Sequence, residues 1–234
     1  MSNVLEKKTV LITGVTGGIG YEICKKYYEK NSKLVLVGRN NNSLSKIAKE
    51  FNAEYFCCDF SNLDEVEKIA IEISESIQID ILINSAGIFD VASIEETSIV
   101  DIKETFNINF FAPFVFIKQF INSMESRNWG RIINIVSSSA YGAAANTSSY
   151  SSSKHALLGL SRGLFNEFKT RGVRVISVSP GSVKTEMGRK VEKLGQIYET
   201  FIKPSEVAEY VVYVSSLDDN LIIEEARLNR IEIQ

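Results

Sequence analysis

Six short runs of β-branched and aliphatic residues recur along the chain: TVLIT (9–13), KLVLVG (33–38), EYFCC (54–58), DILIN (80–84), RIINIV (131–136) and RVISVSP (174–180). Each is too short for a helix, and the stretches between them carry a helical rhythm. That alternation specifies βαβ units and a parallel sheet. Ile19, Ile23 and Tyr27 recur at spacings of four, and Leu63, Val66, Ile69, Ala70 and Ile73 mark one buried face of a crossover helix. The expected architecture is α/β, a doubly wound parallel sheet of about seven strands flanked by helices on both faces. No linker or repeat divides the 234 residues, so 1–234 is expected to form a single domain.

Local signals refine this outline. Ser61 or Asn62 can cap the helix that follows the third run, Ser43 can cap the preceding one, and Pro204 before Ser205-Glu206 starts the last. Long helices are expected at about 105–127 and 149–171, with a less regular segment between Val183 and Lys203. The C-terminal residues Leu221–Ile223 and Leu228–Ile233 fit either a short β-hairpin or one edge strand.

Composition excludes several classes. With 26 Lys+Arg against 29 Asp+Glu the chain has no bulk positive field for nucleic acid or anionic lipid. The uncharged stretch 132–153 holds eight serines, too polar to span a membrane, and no signal peptide is visible, so a cytoplasmic protein is expected. Cys24, Cys57 and Cys58 lack metal-like spacing and read as buried reduced thiols. His155 is the only histidine, and no metal is expected.

Three motifs carry chemistry. The first strand runs into Thr13-Gly14-Val15-Thr16-Gly17-Gly18-Ile19-Gly20 and then a helix, which lets backbone approach a pyrophosphate at a helix N-terminus. A glycine-rich structural turn is the alternative reading of that segment alone. After the second strand stands Arg39, where such folds read the adenine ribose; a cation there suits a 2′-phosphate, so NADP(H) is expected over NAD(H), unless Arg39 is only a surface residue. Tyr150 and Lys154 sit one turn apart on a helix, an arrangement that can bring an ammonium near a phenol and lower its pKa. Ser137, thirteen residues earlier, ends a strand where ligands of doubly wound sheets bind.

Together these residues resemble the short-chain dehydrogenase/reductase family, over about residues 8–216, and imply a Rossmann-type NAD(P)-binding domain. The resemblance assigns a catalytic set of Asn109, Ser137, Tyr150 and Lys154. For the cofactor it implies Gly14, Thr16, Gly17, Gly18, Ile19, Gly20, Asp59 and Phe60, then Asn84, Ser85, Ala86 and Gly87, then Pro180, Gly181, Val183 and Thr185, with Arg39, Tyr150 and Lys154 contributing. The implied chemistry is hydride transfer to a carbonyl carbon, with Tyr150 as acid, Lys154 tuning it, Ser137 orienting the carbonyl and Asn109 supporting a proton path. Ser85 replaces an asparagine usual in the family, and the end RLNRIEIQ replaces a glycine-rich strand.

Within the family the pattern is most similar to 3-oxoacyl-[acyl-carrier-protein] reductases, implying a small-molecule carbonyl substrate, carried on acyl carrier protein or CoA. Of the two basic residues that dock the carrier, one matches Arg171, whereas the other falls at Asn128, with Arg127 and Arg131 near. A general ketone or aldehyde reductase, or an alcohol dehydrogenase of a small metabolite, is the alternative; a cofactor-sensing interaction module is the second. Residues 184–203 place Met187, Val191, Leu194, Ile197, Tyr198 and Phe201 on an apolar pattern that can cover the substrate, or form an amphipathic helix with a solvated face. The family also implies a homodimer or homotetramer through the two long helices.

Overall fold

The computed structural model describes residues 4–218 and 220–231. Its strands are β1 Thr9–Thr13, β2 Lys33–Gly38, β3 Glu54–Cys57, β4 Ile81–Asn84, β5 Gly130–Ile135, β6 Val173–Pro180 and β7 Glu225–Leu228. All pair in parallel, in the order β3-β2-β1-β4-β5-β6-β7. The α-helices are α1 Gly18–Tyr28, α2 Asn41–Glu50, α3 Leu63–Ser76, α4 Ile99–Phe106, α5 Ala112–Ser126, α6 Ser148–Phe168, α7 Glu186–Arg189 and α8 Pro204–Ser216.

Strand side chains alternate between faces, and the core divides accordingly. Val10, Ile12, Leu34, Leu36, Ile81 and Ile83 pack with Ile23, Tyr27, Val207 and Val211 of α1 and α8. Leu11, Val35, Val37 and Leu82 pack on the opposite face with Val66, Ala70, Phe116 and Phe120 of α3 and α5. The chain runs outward from β1 to β3 and returns to place β4 beside β1. Crossovers therefore leave to opposite faces at that point, opening a crevice at the strand carboxyl ends.

Several local expectations need correction. The cap of α2 is Asn40, whose Oδ1 accepts the Ser43 N–H at 2.9 Å; Ser43 lies inside the first turn. Of the two candidate caps for α3, Asn62 is the one that acts, accepting from the Glu65 N–H. The helix expected from about 105 begins at Ile99, where Ser98 and Asp101 form a reciprocal capping box. It is not continuous α-helix either, because Asn107–Phe111 forms a π-helical turn. Pro113 has no N–H to give the carbonyl of Asn109, so the regular ladder slips there. The helix expected to reach 171 ends at Phe168, and Gly172, with φ of +75°, turns the chain into β6.

Among the described residues the C-terminal segment forms one edge strand and no hairpin. It is Glu225–Leu228, parallel to β6 and earlier than the expected Leu228–Ile233, of which residues 232–233 lie outside the described set. Glu225 fixes this strand by accepting from the Tyr141 hydroxyl at 2.8 Å and pairing with Arg162. Cys24 and Cys58 are buried as expected, but Cys57 is exposed because β3 is an edge strand. Among the described residues no helix is long and apolar enough to cross a membrane.

Candidate active site

The glycine turn leaves β1 and enters α1 at the crevice. Gly14 has φ of +72°, and a Cβ there would lie 2.6 Å from Cα of Ala86, so only glycine lets this turn rest on the Ser85-Ala86-Gly87 loop. Thr13 Oγ1 accepts from the N–H groups of both Ser85 and Ala86 at 3.1 Å, joining the two loops. A Cβ on Gly20 would strike the Gly14 carbonyl. Gly17 caps α1 without offering a side chain, so the positive end of the helix faces the open crevice. This cradle, which side chains would fill, fits a pyrophosphate.

The crevice is a cleft of about 570 Å³. Along it, following the strand order, lie Arg39, Asp59 and Phe60 beyond β2 and β3; Gly14, Thr16, Gly17, Gly18, Ile19 and Gly20 beyond β1; Ser85, Ala86 and Gly87 beyond β4; and Ser137, Tyr150, Lys154, Pro180, Gly181, Val183 and Thr185 at the far side. Asp59 accepts from the backbone and hydroxyl of Ser61, which hold its carboxyl below the usual range. Arg39 is exposed at the mouth.

Two predicted residues stand behind the cleft wall. Asn84 is buried, donates to Asn134 Oδ1 at 2.8 Å, and keeps a carbonyl oxygen without a partner. Strand alternation turns it to the sheet face on which Asn134 meets Ser161 of α6, and it does not line the cleft. Asn109, on the π-helical turn, accepts from the Ile88 N–H at 2.9 Å and donates to the Ile88 carbonyl and Ser153 Oγ at 3.0 Å. Gly87 separates it from Lys154: a Cβ there would lie 3.2 Å from Asn109 Oδ1 and 3.6 Å from Lys154 Nζ.

The reactive groups converge at the carboxyl end of β5. The Ser139 N–H donates to Ser137 Oγ at 3.1 Å, leaving the Ser137 proton to be given to the Tyr150 oxygen. Lys154 is buried, donates to the Ile135 carbonyl at 2.9 Å, and is lowered by burial to about 8. Its ammonium lies 5.9 Å from the Tyr150 ring. The expectation that Lys154 depresses the phenol needs correction. Burial raises Tyr150 above its ordinary value, and the opposing hydrogen bond comes from Ser137.

The short chain dehydrogenase family description matches residues 8–194. The chain belongs to the short-chain dehydrogenase family. It is an NAD(P)-dependent oxidoreductase acting on alcohol and carbonyl groups. Among relatives, a 3-oxoacyl-[acyl-carrier-protein] reductase of Rickettsia bellii is 29% identical over 93% of both chains. A D-threitol dehydrogenase of Mycolicibacterium smegmatis is 31% identical over 91% of this chain and 87% of its own. The fold superimposes on a metagenomic short-chain oxidoreductase in complex with NADP, with TM-score 0.84, 25% identity, and coverage of 98% and 100%.

The sequence alone did not single out Phe89, Ser139, Ala144 or Gln196, all of which line the cleft of this dehydrogenase. Phe89 had a readable signal, since it follows the Ser85-Ala86-Gly87 loop at the carboxyl end of β4. Gln196 had none, because its place depends on how an irregular segment crosses the cleft.

Proposed function

We propose that this short-chain dehydrogenase uses NADPH to reduce a ketone or aldehyde to an alcohol. The observation that carries the reading is the convergence of Ser137, Tyr150 and Lys154 on the cleft that the glycine turn opens. Gly14, Thr16, Gly17, Gly18, Ile19 and Gly20 would hold the pyrophosphate, Asp59 and Phe60 the adenine side, and Arg39 a 2′-phosphate. The Ser85–Gly87 loop, Pro180, Gly181, Val183 and Thr185 would flank the nicotinamide. When bound, the reduced cofactor supplies the hydride that the carbonyl carbon takes up.

The chain's own residues do the rest. Tyr150 gives its proton to the carbonyl oxygen, and Ser137 donates to that oxygen and fixes its direction. Lys154, anchored on Ile135 with its ammonium 5.9 Å from the Tyr150 ring, would hold the nicotinamide ribose. Asn109 holds the Ile88 backbone and borders Lys154 across Gly87, where it can support proton resupply. Residues 184–203 form the substrate cover of a single cofactor-binding domain: α7, two 3₁₀ turns and a parallel bridge from Val183 to Ile202 carry Met187, Val191 and Leu194 across the mouth.

A 3-oxoacyl thioester is the second reading, supported by the relatives' names and by the exposed Arg171. The carrier-docking surface is thin, however. Arg171 pairs with Glu125, Asn128 occupies a left-handed turn against Gly172, Arg127 pairs with Asp80, and Arg131 is buried against Asp218. Exposed Ile99, Val100, Phe111 and Phe114 on the α4–α5 surface support assembly as a homodimer or homotetramer through that face.

The test follows nicotinamide absorbance while the protein meets NADPH with 3-oxoacyl thioesters, diketones and aldehydes. Wild type should turn over at least one class, and Tyr150→Phe should lose about 10²-fold or more. Equal behaviour of the two proteins refutes the catalytic assignment.

A further inference from the structure

The substrate side of the cleft is walled unevenly. Phe89, Ala144, Met187, Val191 and Leu194 line the cleft together with Ser137 and Tyr150, alongside the polar Ser138, Ser139, Thr147, Ser182, Glu186 and Gln196. Phe89 is the aromatic member of this wall. It is 7% exposed, and its ring meets that of Tyr150 edge-on, with centroids 4.8 Å apart and planes at 80°. The ring stands beside the place where the carbonyl must meet the phenol.

Phe89 is also held from above. Lys190, on the covering segment, donates from Nζ to the Phe89 carbonyl at 2.9 Å and lies 3.5 Å from Asp90 Oδ1. Further along, Gln196 Oε1 accepts from Ser182 at 2.7 Å and from Arg230 at 2.8 Å, with Arg230 stacked over Phe201. The cover is therefore fastened at two points, and the first fastening grips the backbone of the residue that braces the acid.

We propose that Phe89, positioned by Lys190, selects the substrate: the site takes apolar alkyl or aryl ketones and aldehydes and rejects polyhydroxylated ones. The selection rests on the carbonyl-reductase reading above and names the class of substrate for it. A flat apolar group beside the carbonyl lies against the Phe89 face and the Met187, Val191 and Leu194 side chains. A chain of hydroxyls pressed there loses water and finds a ring face that accepts no ordinary hydrogen bond. One or two hydroxyls left without partners lower kcat/KM by about ten- to hundred-fold or more.

The experiment compares acetophenone and 2,3-hexanedione with dihydroxyacetone and erythrulose as NADPH-dependent substrates. Variants are Phe89→Ser, Phe89→Leu, Lys190→Gln and Lys190→Arg, each checked for thermal unfolding and NADPH affinity. Wild type should favour the apolar pair at least tenfold in kcat/KM. Phe89→Ser should cut that ratio about tenfold or more, mainly through KM, while Phe89→Leu retains most of it. Lys190→Gln should raise KM for the apolar pair, with Lys190→Arg restoring it. Benzamide, an irreducible isostere of the aryl ketone, should raise the melting temperature of NADP-loaded wild type more than that of Phe89→Ser.

A wild-type preference for the polyhydroxy ketones, or an unchanged ratio in a folded Phe89→Ser that still binds NADPH, overturns the selection while leaving the reductase reading intact. Absence of turnover on all four compounds and the thioesters, with Tyr150→Phe indistinguishable from wild type, overturns both.

Discussion

Gly18 and Thr185 come from opposite ends of the cofactor cleft in sequence, and a pair of one-methyl changes tests whether they touch. A Cβ on Gly18 would lie 2.7 Å from Thr185 Cγ2. Gly18→Ala by itself gains about 0.4–1 kcal/mol, because the unfolded chain loses freedom. The contact opposes this. Accommodating the methyl in place costs about 1–3 kcal/mol. The alternative is to rotate Thr185, which forfeits the hydrogen bond that its hydroxyl accepts from the Gly188 N–H at 2.9 Å and with it about 1 kcal/mol of capping. The cheaper route sets the cost at about 1 kcal/mol, so Gly18→Ala is close to neutral or slightly destabilising in wild type. In a Thr185→Ser background the obstructing methyl is gone and the capping oxygen remains. There Gly18→Ala should stabilise. Denaturant unfolding of the four proteins should give a coupling of about 1 kcal/mol, or about 2–4 °C in melting temperature for a chain of this size. Additivity within about 0.3 kcal/mol would refute the packing of the covering segment on the glycine turn.

Arg39→Asp should weaken NADPH binding at least about tenfold and favour NADH, read by fluorescence titration, since a carboxylate repels a 2′-phosphate and accepts from a 2′-hydroxyl. Lys154, lowered to about 8, should give a kcat profile that falls as pH rises through about 8. Stability moves the other way: between about 8 and the ordinary lysine value the unfolded chain holds the proton that the folded chain has lost, so this group's contribution rises with pH, measurable by denaturant unfolding across that window. Ser98→Ala removes the reciprocal cap of α4 and should cost about 1 kcal/mol in the same assay.

Much of the fold was legible because its signals are local. The β1–α1 turn reads directly from Thr13–Gly20, and the six strand runs match six of the seven strands to within one residue at each end. β7 was misplaced because four residues on an edge carry little periodic signal. What fixes them is Glu225 meeting Tyr141 and Arg162, 84 and 63 residues away. The π-helical turn escaped because the helix expected over about 105–127 ran straight through Pro113, whose missing N–H shifts the ladder where α4 continues into α5.

The sequence alone determined the alternation of strand and helix, the glycine turn and the identities of Ser137, Tyr150 and Lys154, since each depends on residues near one another in the chain. Only the tertiary structure decided the state of those groups. Burial, which sums contributions from many distant segments, raises Tyr150 and lowers Lys154. The packing of β4 and the covering segment likewise brings Phe89 to Tyr150 and Lys190 to Phe89, contacts spanning 61 and 101 residues that no local pattern encodes.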